Sequence, residues 1–228
     1  MRVCLLFCKI VGQENKEAID MTEKSIDLFL SELSSGAPVP GGGGASALAG
    51  AAASALASMV ANLTTGKKKY AEYQGEIDVI LEKTAALVKD FESLIEKDAE
   101  VFEPLAKAYS IPKDEPGRDE ALENALNTAC SAPYEIVMKT KEACDIIVRL
   151  ETIGSRLALS DVGVAATMLQ TAAKGAAMNV YINTKLMKNR SRAEELNAAT
   201  FEAVAEVDGK CAAVYEGVKK SLTGGESK

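Results

Sequence analysis

One carboxylate in this sequence lies where the surrounding pattern favours an apolar side chain. The stripe has alternating spacings of four and three residues, as on one face of a helix, and consists of Leu87, Phe91, Leu94, Asp98, Val101 and Leu105. Burial disfavours the charged form of a carboxyl group, so we expect a raised pKa for Asp98, which suits proton transfer near neutral pH. The alternative is structural, with Asp98 paired to a lysine or capping a backbone group in the core.

Two amides and a second carboxylate are further candidates. Asn179 and Asn183 are four residues apart and share a helix face with small apolar residues. Buried amides need hydrogen-bond partners, which are a neighbouring helix or a flat polar ligand. Ser160 and Asp161 precede the same helix and resemble an N-cap and an acidic first turn, with a functional role for Asp161 as the alternative.

A glycine-rich segment offers a different chemistry. The chain has no charged residue between Glu32 and Lys67, and in this gap Pro38-Val-Pro-Gly-Gly-Gly-Gly44 leads into a small-residue helix that ends near Lys67, Lys68 and Lys69. Glycines at a helix start leave backbone N–H groups accessible, so Gly41, Gly42, Gly43 and Gly44 outline an anion site. The spacing matches neither a dinucleotide fingerprint nor a P-loop. The alternatives are a tight turn and close helix packing.

Composition excludes several classes of function. The 228 residues contain no histidine, which excludes Ser-His-Asp triads, Cys-His pairs and His-ligated metals. A net charge of −7 argues against general nucleic-acid binding, so an anionic ligand would need a local basic patch. The five cysteines form no C-x-x-C pair, and their odd number indicates reduced thiols in a cytoplasmic protein.

The remaining segments predict an all-α protein with one helical domain. Helices are expected at residues 22–33, 45–63, 70–109, 118–150 with Pro133 as a kink or break, 160–188 and 191–220. Residues 1–20 differ in character, so we assign the domain to residues 21–228 and treat Met21 as an alternative start. Residues 45–63 are long enough to span a membrane, but their Ala and Ser content favours a central buried helix.

Several of these motifs together resemble the cyclodeaminase family, which comprises the C-terminal domain of formiminotransferase-cyclodeaminase and stand-alone bacterial relatives, some of them methenyltetrahydrofolate cyclohydrolases. The motifs are Phe29 to Gly43 with its Pro-Val-Pro-Gly-Gly-Gly end, Met59-Val-Ala-Asn-Leu-Thr64, Gly66-Lys-Lys-Lys-Tyr70, Asp98, Ser160-Asp-Val-Gly163, Asn179 and Asn183. The resemblance runs from about residue 22 to the C-terminus and includes no formiminotransferase domain.

The resemblance implies an all-helical homodimer, or a dimer of dimers, that acts on the one-carbon unit of tetrahydrofolate without metal or nucleotide. It implies Asp98 as the principal acid/base or electrostatic group, Asp161 as the second carboxylate, and Asn179 and Asn183 as groups that orient the pterin or amidine. The folate's glutamate tail would be held by Gly41, Gly42, Gly43, Gly44, Ser46, Lys67, Lys68 and Lys69. Tyr70 would close the site or merely pack.

Three functions remain open at this point. A formiminotetrahydrofolate cyclodeaminase would close 5-formiminotetrahydrofolate to the 5,10-methenyl compound and release ammonia. A methenyltetrahydrofolate cyclohydrolase would add water to the methenyl carbon through a related tetrahedral species. In the third case the chain is a non-catalytic helical module whose small-residue helices serve assembly. The resemblance favours the cyclodeaminase, because the named family domain is the closer likeness, and one protein can have both activities.

Overall fold

The computed structural model describes residues 25–224, and every regular element within them is helical. The α-helices are α1 (Ile26–Leu33), α2 (Gly42–Asn62), α3 (Gln74–Ser110), α4 (Arg118–Ala129), α5 (Ser131–Ile153), α6 (Leu159–Leu186) and α7 (Arg190–Thr223). Short 3-10 helices occupy Lys68–Tyr73 and Arg156–Ala158. The predicted all-α class is confirmed. The predicted domain boundary after residue 20 lies outside the described residues.

Helices α2 and α6 form the centre of the bundle. α2 packs mainly against α3 and α6, and α6 also contacts α5 and α7. Small residues on α2 allow the close approach, because a Cβ at Gly50 would lie 2.5 Å from Cε1 of Phe91 on α3. The fully buried Phe91 ring fills this space in place of a side chain at position 50.

The apolar side chains form two clusters. The larger one extends through α2, α3, α5, α6 and α7. The smaller one lies where the end of α3, α4, the end of α6 and the start of α7 meet, and it includes Leu105, Leu126, Met187 and Leu196.

Helix boundaries differ from the sequence-based expectation at three points. α2 begins at Gly42 rather than at residue 45, so three glycines lie inside its first turn. The segment 118–150 is two helices separated at Cys130, three residues before Pro133. This position suits proline, because the N–H groups of a first helical turn have no intrahelical acceptor.

The start of α6 also differs from the expectation. α6 begins at Leu159 with Ala158 as its N-cap residue, so Ser160 does not cap the helix, whereas Asp161 does lie in the first turn. Two hydrogen bonds hold the chain just before this start, since the Ser155 and Arg156 N–H groups donate to side chains of the segment after α2. Tertiary contacts therefore fix where α6 begins.

Helix α2 is the one helix among residues 25–224 with the length and apolar composition to cross a membrane. Only 56% of its most apolar window is buried in the protein. Its buried face agrees with the predicted central helix, and its exposed face has no partner in the described chain.

Candidate active site

The first turn of α2 forms an exposed corner of the protein. The N-cap residue is Gly41, and no side chain caps the helix there. The Gly44 N–H donates to Asp98, and the Ala45 N–H donates to the Gly41 carbonyl. The N–H groups of Gly42 and Gly43 have no acceptor among residues 25–224, so this end of α2 presents free donors and the positive end of the helix dipole.

Asp98 lies directly over this turn. Its Oδ2 accepts the Gly44 N–H at 3.0 Å, and a Cβ at Gly43 would lie 2.1 Å from its Oδ1. Glycine at position 43 is therefore required for the carboxylate to reach this place. Burial raises the pKa of Asp98, and the Gly44 N–H opposes the rise only in part.

Asn179 on α6 borders the same corner. Its Nδ2 donates to the Gly175 carbonyl at 3.0 Å, and a Cβ at Gly42 would lie 3.3 Å from this nitrogen. The Asn179 Oδ1 has no hydrogen-bond donor in the described part of the chain. Asn179 thus adds a free acceptor beside the free N–H groups of α2.

Ser46 and Asn183 lie nearby but bind groups of the protein. The buried Ser46 hydroxyl donates to the Gly42 carbonyl at 2.7 Å, and a Cβ at Gly175 would lie 2.4 Å from its Oγ. Asn183 Nδ2 donates to the Ala129 carbonyl at the end of α4 at 3.2 Å. The Ser46 hydrogen bond lies within α2, whereas the Asn183 hydrogen bond joins α6 to the end of α4. The predicted substrate contacts of both side chains stay predictions.

The predicted basic residues lie at the opposite end of α2. Helix α2 has 21 residues, which corresponds to about 30 Å between its ends. Lys67 Nζ lies 3.5 Å from the Ser155 Oγ, and the Tyr70 hydroxyl accepts the Arg156 N–H at 3.2 Å. This hydrogen bond, assisted by the charge of nearby Lys69, lowers the pKa of Tyr70.

Asp161 belongs to this second region as well. α6 runs antiparallel to α2, since Asn179 faces Gly42 at one end and the Ser155 N–H donates to Thr64 Oγ1 at the other. Asp161 and Asn179 are eighteen positions apart on α6, which is about 27 Å of helix. We call the corner around Gly41–Gly44 and Asp98 the glycine end, and the region of Lys67–Tyr70 and Asp161 the lysine end.

A cavity of about 280 Å³ opens near the lysine end and was not expected from the sequence. It is lined by Glu151, Thr152, Arg156, Leu159, Gly217, Val218 and Ser221. A Cβ at Gly217 would lie 2.1 Å from the Glu151 Oε1, so the glycine admits the carboxylate. Burial raises the pKa of Glu151, and Arg156 opposes this rise. Because Glu151 is distant in sequence from Gly217, no local pattern indicated this contact.

The glycine end therefore joins residues that the sequence only suggested separately. A half-buried carboxyl group with a raised pKa, free backbone N–H donors and a free amide oxygen surround one exposed corner. Such a set can exchange a proton with a bound ligand and orient a polar ring. Gly175 was missed by the sequence analysis, although its position one turn before Asn179 could have marked a close helix contact.

Comparisons with known proteins identify the family of this chain. Residues 25–202 match the family model for formiminotransferase-cyclodeaminase. The chain is 36% identical to a methenyltetrahydrofolate cyclohydrolase of Methylorubrum extorquens over 203 residues, which cover 87% of this chain and 98% of the relative. It is 31% identical to the formimidoyltransferase-cyclodeaminase of Sus scrofa over 169 residues, which cover 72% of this chain but 31% of that longer protein.

A solved structure shows the same fold. The formiminotetrahydrofolate cyclodeaminase of Thermotoga maritima superposes with a TM-score of 0.75 and 31% sequence identity, and the match covers 89% of this chain and 97% of that chain. The match to the family model, the sequence identities and the shared fold show that the chain belongs to the formiminotransferase-cyclodeaminase family.

Proposed function

We propose that this protein is a tetrahydrofolate one-carbon enzyme, and that its main activity is the cyclodeaminase reaction on 5-formiminotetrahydrofolate. The observation that carries the proposal is the Asp98 carboxyl group, which lies over the first turn of α2 with a raised pKa beside the Asn179 amide. The names of the similar proteins supply the substrate class.

The proposed reaction begins with a protonated formimino group on N5. N10 attacks the formimino carbon, which gives a tetrahedral centre that carries the amino group and a proton on N10. The Asp98 carboxylate takes the N10 proton and then donates it to the amino group. Ammonia leaves, and the positive charge remains on the 5,10-methenyl product. Because Asp98 is ionised again at the end, its negative charge also stabilises the cationic product.

One carboxyl group can carry out both transfers, because the same proton moves from N10 to the leaving nitrogen. A raised pKa fits this task, since the group must accept and release a proton with similar ease. We propose that Asn179 orients the pterin or amidine through its free Oδ1, and that the free N–H groups of α2 bind an acceptor atom of the substrate. No step requires a metal or nucleotide, and this expectation stays a prediction.

The cyclohydrolase reaction is the second candidate. It is favoured by the 36% identity to the Methylorubrum extorquens enzyme over nearly all of that enzyme's length. Water would add to the methenyl carbon while Asp98 accepts a proton, and Asp98 would then donate it to N5 as the bond between N5 and the carbon breaks. The hydroxyl proton leaves to solvent, which gives 10-formyltetrahydrofolate.

The lysine end is proposed to bind the glutamate tail of folate, and the enzyme to act as a homodimer in the cytoplasm. Lys67 and Lys68 are exposed, so their charged ends are accessible to an anionic tail that extends into solvent.

The buried free thiols of Cys130, Cys144 and Cys211 fit a reducing compartment. The Sγ atoms of Cys144 and Cys211 are 3.4 Å apart, a contact that the sequence spacing did not reveal.

The test is to incubate the purified protein separately with 5-formiminotetrahydrofolate and with 5,10-methenyltetrahydrofolate. Cyclodeaminase activity gives ammonia together with new methenyl absorbance, and cyclohydrolase activity gives faster loss of methenyl absorbance without ammonia. Asp98→Asn should abolish the observed reaction, whereas Asp114→Asn, in the exposed loop before α4, should leave it unchanged. Absence of both reactions in the wild-type protein would refute the folate assignment.

A further inference from the structure

The cavity near the lysine end has no part in the proposed reaction. It lies between the end of α5, the start of α6 and the end of α7, and it has a volume of about 280 Å³. Pockets for drug-sized ligands measure about 300–1,000 Å³, so this cavity has room for a small molecule rather than for a whole folate. Helix α2, about 30 Å long, separates this end of the bundle from the glycine end.

Glu151 supplies an unpaired negative charge to the cavity. Its carboxyl group makes no hydrogen bond or ion pair within residues 25–224, and partial burial raises its pKa. Lys219, which follows the lining residue Val218, is paired with Glu216 instead. Removal of a carboxylate from water without a partner costs free energy, so Glu151 favours a ligand that is cationic or donates hydrogen bonds.

Gly217 admits this carboxyl group to the cavity. A Cβ at position 217 would lie 2.1 Å from the Oε1 of Glu151 and 3.3 Å from its Cδ. The carboxyl group therefore occupies the space that a side chain at position 217 would fill. Gly209, about two turns earlier on α7, has nothing within 4 Å of the equivalent Cβ, so the close approach is particular to position 217.

Arg156 supplies a positive charge to the same cavity. Its Nη1 donates to the main-chain carbonyl of Glu151 at 3.2 Å, which holds the guanidinium group at the end of α5. This charge opposes the rise in the pKa of Glu151, yet the two side chains form no ion pair in the part of the chain that the structure describes. The carboxyl group and the guanidinium group thus line one cavity as separate charges.

Two opposite charges that line one cavity without pairing favour a ligand that carries both charges. A simple anion would be repelled by Glu151, and a simple cation would be repelled by Arg156. A zwitterion can place its ammonium group on the carboxylate and its own carboxylate on the guanidinium group. Guanidinium groups bind carboxylates well, because two parallel hydrogen bonds can form.

The helix ends around the cavity have a polarity that suits the same ligand. α5 and α7 end here, so the negative ends of their dipoles favour an ammonium group. α6 begins here, directly after Arg156–Ala158, so the positive end of its dipole favours a carboxylate. The helix dipoles and the two side chains therefore select the same pair of charges.

We propose that this cavity binds a free α-amino acid with a small side chain, whose ammonium group contacts Glu151 and whose carboxylate contacts Arg156. The buried side chains of Leu159 and Val218 form the apolar part of the lining, against which the Cα and the small side chain pack. The volume of the cavity excludes long side chains. This site does not rest on the proposed function.

The glutamate tail of folate is the competing ligand, because the lysine end lies close by. The Arg156 N–H donates to the Tyr70 hydroxyl of the lysine end at 3.2 Å. The nitrogen of a tail glutamate is acylated, however, so it carries no positive charge for Glu151. N-acetylglycine combines an acylated nitrogen with a carboxylate and therefore serves as a model of the tail.

The ligand class is tested by NMR titration of the isotopically labelled protein with glycine, L-alanine and L-serine. The amide signals of Gly217 and Val218 should shift with each amino acid. N-acetylglycine, acetate and methylamine should bind about tenfold more weakly than glycine or worse, because each lacks one of the two charges. If none of the three amino acids binds, or if N-acetylglycine binds as tightly as glycine, the proposal is wrong.

Two matched pairs of variants test the location of the site. Glu151→Gln removes the charge and should weaken glycine binding by about tenfold or more, whereas Glu202→Gln, at an exposed position on α7, should not change it. Gly217→Ala should abolish binding because the added Cβ displaces the carboxyl group, whereas Gly209→Ala should leave binding intact. Circular dichroism checks that each variant is folded. Unchanged glycine affinity in a folded Glu151→Gln or Gly217→Ala would overturn the assignment.

Discussion

Two opposing influences act on the Asp98 carboxyl group. Burial disfavours its charged form, whereas the Gly44 N–H at 3.0 Å and the positive end of α2 favour that form. Burial is the larger influence, so the native carboxyl group holds its proton to a higher pH than an exposed one. This balance links the proton chemistry of one residue to the stability of the whole chain.

The pH dependence of stability follows from this raised pKa. In the unfolded chain Asp98 has an ordinary pKa of about 4. Protonation of Asp98 therefore makes its full contribution to the free energy of unfolding below that pH. This contribution is lost as the pH rises through the raised pKa of Asp98 in the native state. Urea unfolding should show that the stability of the wild-type protein relative to Asp98→Asn falls as the pH rises above about 4, and that it levels off once the native carboxyl group is ionised. A difference that is constant with pH would contradict the raised pKa.

Gly43→Ala should displace the Asp98 carboxylate, although residue 98 itself remains an aspartate. The added Cβ would lie 2.1 Å from Oδ1, so the side chain has to move by about an ångström or more. A misplacement of this size can reduce kcat by about 10²-fold. Steady-state kinetics measures the loss, and Gly75→Ala is the control, because a Cβ at Gly75 meets nothing within 4 Å. Equal activity of the two variants would show that the position of Asp98 is not critical.

At the scale of helices, the small residues of α2 have two different uses. On the buried face they admit larger groups from neighbouring helices, as Gly50 admits Phe91. On the exposed face they leave a flat apolar surface around Ala52 and Ala55. The sequence indicated close packing of this helix, but it could not assign each small residue to a use, because the assignment depends on which neighbour lies opposite.

Two glycines on different helices should respond to alanine in opposite ways. Gly50→Ala would place a Cβ 2.5 Å from Phe91, and overpacking of this kind costs about 1–3 kcal/mol, more than the helix propensity gained. Gly209→Ala on α7 meets nothing within 4 Å and should stabilise the protein by about 0.5–1 kcal/mol. Urea unfolding of both variants measures the two changes. Stabilisation by Gly50→Ala would mean that the Phe91 ring moves aside easily.

For the molecule as a whole, the sequence predicted the helical class, the central helix and the partly buried position of Asp98, because apolar periodicity and small-residue content are local properties. It did not predict that Lys67 and Asp161 lie about 30 Å from Asp98 within one chain, since this distance depends on the direction in which α2 and α6 run. Asn183 likewise has a partner that only the packed helices provide, because its Nδ2 donates to the Ala129 carbonyl at the end of α4.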